Sequence, residues 1–283
     1  VEELAAILDG VSRDSGTRNS AARTALLAPL LADRAHTAIL TDVDGTLAPI
    51  AARPEQAAVP AQARALLERL CESYGMVGCI SGRRAAEAKR LVGLDRVAYA
   101  GNHGLELLLP GEDQVRPDPS LAGRERAAAD FLATLDAEEL AVAGIRVEDK
   151  GPIQGLHWRG AEDERAGEAR AHEIGVEAGR AGLEPRWGRK VLELRPVGGG
   201  GKDAAVAGLL AMDGVTAAIY AGDDRTDLDA FRRLRELRES GELATAVCVG
   251  VVSPEAPPEL PEESDLLVDG PDGWLQILES LAE

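Results

Sequence analysis

Asp42 and Asp44 stand two residues apart, directly ahead of Gly45 and Thr46, where the apolar run 37–41 ends. Two carboxylates at that spacing beside a strand end suit a nucleophile and an acid/base flanking one reacting group. The same string also makes a serviceable turn, so it needs company, and three further loops supply it. Ser81-Gly82-Arg83 follows the apolar run 76–80, and its hydroxyl can bind a phosphoryl oxygen, although Ser-Gly is equally turn chemistry. Lys202 is the first charged residue after the glycine run 198–201 and opens a helical pattern. A lysine there can neutralise negative charge developing on a transferred group. Neither a P-loop nor a dinucleotide fingerprint surrounds it, and no Ser or Thr follows. The fourth loop, 222–227, carries Asp223, Asp224 and Asp227. Three carboxylates within five residues repel one another unless a cation holds them, and magnesium prefers such oxygen ligands. An acidic first turn of a helix would favour one or two acids, not three.

Each loop must be positioned by what precedes it. The runs 37–41, 76–80, 97–100 and 217–221 read as buried strands, alternating with helical patterns at 60–71, 84–92, 202–211 and 226–238. Strands at 246–249 and 266–268 and a helix at 273–281 continue the series. Such alternation predicts an α/β fold with a doubly wound parallel sheet, in which ligands bind beyond the carboxyl ends of the strands. Between 110 and 196 the texture changes: a long charged helix at 121–140, strands at 145–148 and 155–158, a helix at 161–181 and a strand at 190–194. That order suits an inserted α+β module. The expected division is a helical segment at 1–35, a core of 36–109 and 197–283, and an insert of 110–196.

Composition narrows the partners. The formal charge of -18 disfavours nucleic acid and anionic membranes, so a phosphorylated ligand must be drawn in by a local basic cluster or a metal ion. No apolar stretch is long enough to cross a bilayer and the first residues do not resemble a signal peptide, which predicts a soluble, cytoplasmic protein. Cys71, Cys79 and Cys248 lack metal-ligand spacing and read as buried thiols. Of 31 basic residues only four are lysine, namely Lys89, Lys150, Lys190 and Lys202. Where arginine dominates, a surviving lysine marks places where a compact point charge is wanted.

The four loops, in this order, resemble the motifs of the haloacid-dehalogenase superfamily of phosphatases, and the insert resembles its type IIB cap. Further strings, at 99–106, 147–151, 156–159, 190–196 and 222–231, resemble the trehalose-6-phosphate phosphatase branch. Thr41 and Leu228 stand where that branch more often has an apolar and an acidic residue. The resemblance implies a HAD-like core in which Asp42 attacks phosphorus to form an aspartyl-phosphate and Asp44 serves as acid, then base. It implies Mg2+ held by Asp42, the Asp44 carbonyl and Asp223, with Asp224 and Asp227 close by. Ser81 and Lys202 would bind the phosphoryl oxygens, assisted by Arg83. Asn102, His103, Glu148, Lys150, Arg159, Lys190 and Glu193 would read the sugar. Functional coupling to a trehalose-6-phosphate synthase is a further expectation. Two alternatives stay open: another type IIB phosphatase acting on sucrose phosphate or a hexose phosphate, or a non-catalytic homologue that binds a sugar phosphate.

Overall fold

The computed structural model describes residues 16–51, 56–118, 121–188, 190–198, 200–211 and 214–283. Part of the N-terminal helical segment, 1–15, lies outside them; the remainder contains helix α1 (Gly16–Ala32). Eight strands form the main sheet: β1 (Thr37–Asp42), β2 (Met76–Ile80), β3 (Ala98–Gly101), β4 (Glu106–Leu108), β5 (Arg116–Pro117), β10 (Ala217–Gly222), β11 (Thr245–Val252) and β12 (Leu266–Asp269). Their spatial order is β12-β11-β10-β1-β2-β3-β4-β5. The six from β12 to β3 are parallel, and β4 and β5 add an antiparallel edge.

Alternation along these strands builds two cores, one on each face. Ile39, Val77, Tyr99, Ile219 and Val249 point to one face, covered by α1, α2 (Ala61–Ser73), α3 (Ala85–Val92) and α9 (Gly270–Ala282). Leu40, Ile80, Ala98, Tyr220 and Cys248 point to the other, covered by α7 (Lys202–Leu210) and α8 (Asp227–Glu239). Strands buried on both faces read as continuous apolar runs, which is why their limits were visible in the sequence. Both residues that depart from the family pattern are accommodated here. Leu228 packs in the second core, and buried Thr41 donates its hydroxyl to the Asp42 carbonyl at 2.7 Å. The chain runs outward from β1 through β2 and β3, and later returns to β10 on the other side of β1. That reversal at β1 is the switch point at which open α/β sheets bind ligands.

The insert has its own antiparallel sheet, in the order β6-β7-β9-β8, made of β6 (Arg146–Lys150), β7 (Ile153–His157), β8 (Leu183–Gly188) and β9 (Val191–Pro196). Helices α4 (Ala127–Leu132), α5 (Ala137–Val142) and α6 (Glu164–Arg180) complete it around Leu156, Ile174, Leu192 and Leu194. Two expectations are corrected. The long helix at 121–140 is two short ones, because Asp136 accepts hydrogen bonds from the amides of Glu138 and Glu139 and starts a new helix. Strand β8 was not anticipated, because Pro185 argues against a strand; β8 is an edge strand paired only with β9, where proline is tolerated. Among the described residues no helix is long and apolar enough to cross a membrane.

Candidate active site

The loops after β1, β2 and β10 and the start of α7 meet at the carboxyl ends of the strands, and they are bonded to one another. The turn after β1 is closed by the Gly45 amide on the Ala48 carbonyl, at 2.8 Å. Gly45 has φ +94°, and a Cβ there would come within 2.2 Å of Asp223 Oδ2. Glycine is therefore required twice, by conformation and by the close approach of the carboxylate. Thr46 fixes the same carboxylate, donating to Asp223 Oδ1 at 2.9 Å.

Buried Lys202 sits at the centre. Its Nζ donates to Asp42 Oδ1 at 2.8 Å and to Asp227 Oδ1 at 2.7 Å, and lies 3.7 Å from Asp224. Burial opposes its charge, but Asp227, Asp42 and Asp224 outweigh that and hold the ammonium well above its ordinary range. Asp227 is saturated: Oδ1 also accepts from the Tyr220 hydroxyl, and Oδ2 accepts from the amides of Asp223 and Asp224 at 3.0 and 2.9 Å. It therefore organises the acidic loop and anchors the lysine. Tyr220 carried no sequence signal, since a tyrosine in an apolar strand looks ordinary, and Thr46, although within the first motif, gave no sign of its partner Asp223.

The residues fit a cation. Carboxylate oxygens of Asp42, Asp223 and Asp227 lie within 4.8 Å of one another, all in buried residues. With Asp227 saturated, Asp42 and Asp223 each keep one oxygen that no donor among the described residues occupies. Burial, reinforced by Asp227, pushes the Asp223 carboxyl up to about 7. Burial likewise pushes Asp42 well above the ordinary range despite Lys202. Such crowding of anions is what a divalent ion relieves.

Around this centre, Ser81 is buried and its Oγ accepts from the Arg83 amide at 3.1 Å. Arg83 forms a two-pronged pair with Asp44, Nε to Oδ2 at 2.7 Å and Nη2 to Oδ1 at 2.8 Å. The 102–104 turn ties the loops together: Asn102 N bonds Arg83 O at 2.7 Å, His103 N bonds Ser81 O at 3.0 Å, and Gly201 N bonds His103 O at 2.7 Å. Asn102 and His103 both take left-handed backbone, φ +50° and +54°, followed by Gly104 at +93°. Consecutive residues in this region are costly, and here the surrounding hydrogen bonds hold them.

A cavity of about 400 Å3 joins this floor to the inserted sheet. Asp42, Asp44, Ser81, Arg83, His103, Lys202 and Asp224 line it from the core, and Glu148, Lys150, His157 and Glu193 from the insert. The insert's groups form one chain: His157 Nε2 meets Glu148 Oε2 at 2.7 Å, Lys150 Nζ lies 3.6 Å from Glu148, and it donates to Glu193 Oε1 at 3.0 Å. Burial opposes ionisation of Glu193, but Lys150 and Arg195 hold its carboxyl down at about 2. His157 and Arg195 are additions to the expected set. Of the residues expected to read the sugar, three lie outside the cavity lining. Asn102 instead donates to the Lys150 carbonyl at 2.6 Å, bracing the insert against the core. Lys190 bonds Glu164 at 2.5 Å and lines a separate cavity with Trp158, His172 and Trp187. Arg159 is exposed, two residues beyond the end of β7.

Burial, helped by Arg195 and Lys202, pushes the His103 imidazole down to about 3, so it is neutral at pH 7. An unfolded histidine takes up its proton near pH 6.5. Between these values the unfolded state binds more protons, so this residue's contribution to stability falls as pH falls. His103→Asn, a type that tolerates left-handed backbone, is expected to remove that slope. The stability of wild type minus variant, from urea unfolding, should drop by about 2 kcal/mol from pH 7 to pH 5. A difference independent of pH would mean that folded His103 carries the proton.

A family model described as trehalose-phosphatase matches residues 40–258. The chain belongs to the trehalose-phosphatase family. Trehalose 6-phosphate phosphatase RA3 of Zea mays is 32% identical over 212 residues, covering 69% of this chain and 58% of that protein. The trehalose-phosphate phosphatase of Mycobacterium avium is 31% identical over 249 residues, covering 80% and 61%. The chain thus spans about three fifths of the length of these curated relatives. The C-terminal domain of Candida albicans trehalose-6-phosphate phosphatase has the same fold, with a TM-score of 0.73 at 21% identity over 92% of this chain and 96% of that one.

Proposed function

We propose that the chain hydrolyses trehalose 6-phosphate to trehalose and phosphate. The observation that carries this reading is one cavity with Asp42 and Lys202 on its floor and Glu148, Lys150 and Glu193 on its roof. Phosphate chemistry and sugar recognition are thereby brought face to face. In this reading residues 36–109 and 197–283 are the catalytic core and 110–196 the cap.

An Asp42 carboxylate oxygen attacks phosphorus, and the bond to the sugar oxygen breaks. Asp44 gives that oxygen its proton, and an aspartyl-phosphate remains on Asp42. Asp44 then takes a proton from water, whose oxygen attacks the same phosphorus and releases phosphate, restoring the Asp42 carboxylate and the protonated Asp44. Ser81 and Lys202 bind the phosphoryl oxygens, and Lys202 offsets the repulsion between a carboxylate and a phosphate dianion. Asp42, Asp223 and the Asp44 carbonyl would hold Mg2+, with Asp224 near it. When bound it supplies positive charge to the phosphoryl group and orients it. Asp44 here is engaged by Arg83, so the proton-transfer role requires the pair to open; the guanidinium fork released from Asp44 suits a phosphoryl group equally well. Closure of the cap excludes water and uses remote sugar contacts to position the phosphate. The substrate is the product of a synthase reaction, to which the activity is functionally coupled.

The direct test is phosphate release from trehalose 6-phosphate, with and without magnesium, against sucrose 6-phosphate and glucose 6-phosphate at equal concentration. Glu148→Ala separates the two halves of the reading. It should lower kcat/KM for trehalose 6-phosphate by about tenfold or more, yet change hydrolysis of p-nitrophenyl phosphate by less than about threefold. Equal losses on both would remove sugar recognition from Glu148.

A further inference from the structure

The cavity above Asp42 has a neighbour. A second cleft of about 380 Å3 is lined by Arg64, Arg83, Glu87, Arg90, Leu91 and Glu148, among others. Arg83, Glu87 and Glu148 line both spaces, so the two adjoin at the arginine that faces Asp44. Arg64 comes from α2 and Arg90 from the last turn of α3. Both are exposed, and neither has an ion-pair or side-chain hydrogen-bond partner among the described residues. Within the cleft Arg83 is matched by Asp44, and Glu148 is answered by His157 and Lys150. That leaves two guanidinium groups facing one carboxylate, Glu87.

A net positive cleft opening onto the reaction centre answers a problem set by the chain's charge. The formal charge is -18, and a phosphate monoester carries about -1.5 to -2 at neutral pH, so the mean field repels the substrate. Screening limits that field to about 8 Å at physiological ionic strength, inside which local charges decide the encounter. Guanidinium forks are the side chains best matched to phosphate oxygens.

We propose that the Arg64–Arg90 cleft is an entry subsite for phosphate dianions, which collects the phosphorylated substrate against the negative mean field and delivers it to Arg83. It rests on the phosphatase reading of the neighbouring cavity. A focused positive cleft raises local substrate concentration and encounter rate without touching the chemical step. Removing its charge should therefore lower kcat/KM and leave kcat alone.

The experiment compares wild type with Arg64→Gln/Arg90→Gln at ionic strengths of about 20 mM and about 500 mM. At low salt kcat/KM for both trehalose 6-phosphate and p-nitrophenyl phosphate should fall by about five- to tenfold, with the difference closing at high salt. Arg64→Lys/Arg90→Lys keeps the charge and should retain most of the wild-type value. Glu87→Gln removes the opposing carboxylate and should raise kcat/KM at low salt by about twofold. Binding of inorganic phosphate to the magnesium-loaded protein, followed by calorimetry, should weaken in the glutamine double variant by a similar factor. A salt slope and phosphate affinity unchanged in that variant would overturn the inference, as would a loss that persists at high salt. Should trehalose 6-phosphate not be hydrolysed while phosphate binding still weakens, the sugar assignment fails and the entry subsite stands.

Discussion

Asp42→Asn is expected to eliminate phosphate release from both trehalose 6-phosphate and p-nitrophenyl phosphate, by about ten-thousand-fold or more. An amide oxygen has little nucleophilicity toward phosphorus, and no neighbouring group can replace it: Asp44 belongs to Arg83, and Asp227 accepts from Lys202, Tyr220 and two amides. The same substitution should stabilise the metal-free protein. Asp42 is a carboxyl group whose burial, beside Asp227, Asp224 and Asp223, pushes its pKa well up despite Lys202, so ionising it is costly. Asparagine keeps the shape and an oxygen for Lys202 while removing one charge from the cluster. A rise in Tm of a few degrees, for about 1 kcal/mol, is the expected reading by calorimetry without magnesium. Loss of activity together with gain of stability separates a group kept for chemistry from one kept for the fold. Substantial residual turnover would sink the nucleophile assignment.

How much of this was legible in the chain depended on the kind of information each feature needs. The parallel strands were legible because burial on both faces makes them apolar throughout, and the four loops because carboxylates, serine, lysine and glycine stand at strand ends. Features that depend on which partner a side chain meets in the folded chain were not. Tyr220 reads as one more apolar residue of β10 until its hydroxyl is found on Asp227. Arg83 reads as a phosphate ligand, whereas here its fork is on Asp44, across 39 residues of chain.

The cap shows the same limit. Glu148, Lys150 and Glu193 face the core while Lys190 bonds Glu164 at the start of α6. Which side a residue takes follows from strand register, in which a shift of one position reverses the face. The register of β9 depends on its pairing with β7 and β8, and β8 was concealed by Pro185. The rarity of lysine singled out Lys150, Lys190 and Lys202 alike. Only two of them line the cavity, so composition can nominate a charge but cannot aim it.

Lys202→Met carries the second large effect, and it acts on the fold and the chemistry together. The side chain is 2% exposed and lies between Asp42 and Asp227, themselves buried. Methionine matches its length but leaves two carboxylates buried with no counter-charge in contact. Breaking a buried pair by removing one partner costs about 3–5 kcal/mol, because the remaining charge cannot be rehydrated. For a domain of this size that corresponds to a fall in Tm of roughly ten degrees. The defect should depend on pH in a defined direction. Burial already holds Asp227 at about 6 and Asp42 well above its ordinary range with the lysine present. Without it both rise further, so the folded variant binds more protons than the unfolded chain and gains stability as pH falls. The gap between wild type and variant should therefore narrow from pH 8 to pH 5.5, and magnesium should recover part of it at pH 8 by supplying charge to the same carboxylates. Turnover should stay low under every one of these conditions, since neither protonation nor the cation restores the ammonium beside the transferring phosphoryl group. A loss below about 1 kcal/mol at pH 8, or a loss indifferent to pH, would mean that Asp42 and Asp227 are neutral in the folded protein and that Lys202 is not what keeps the nucleophile ionised.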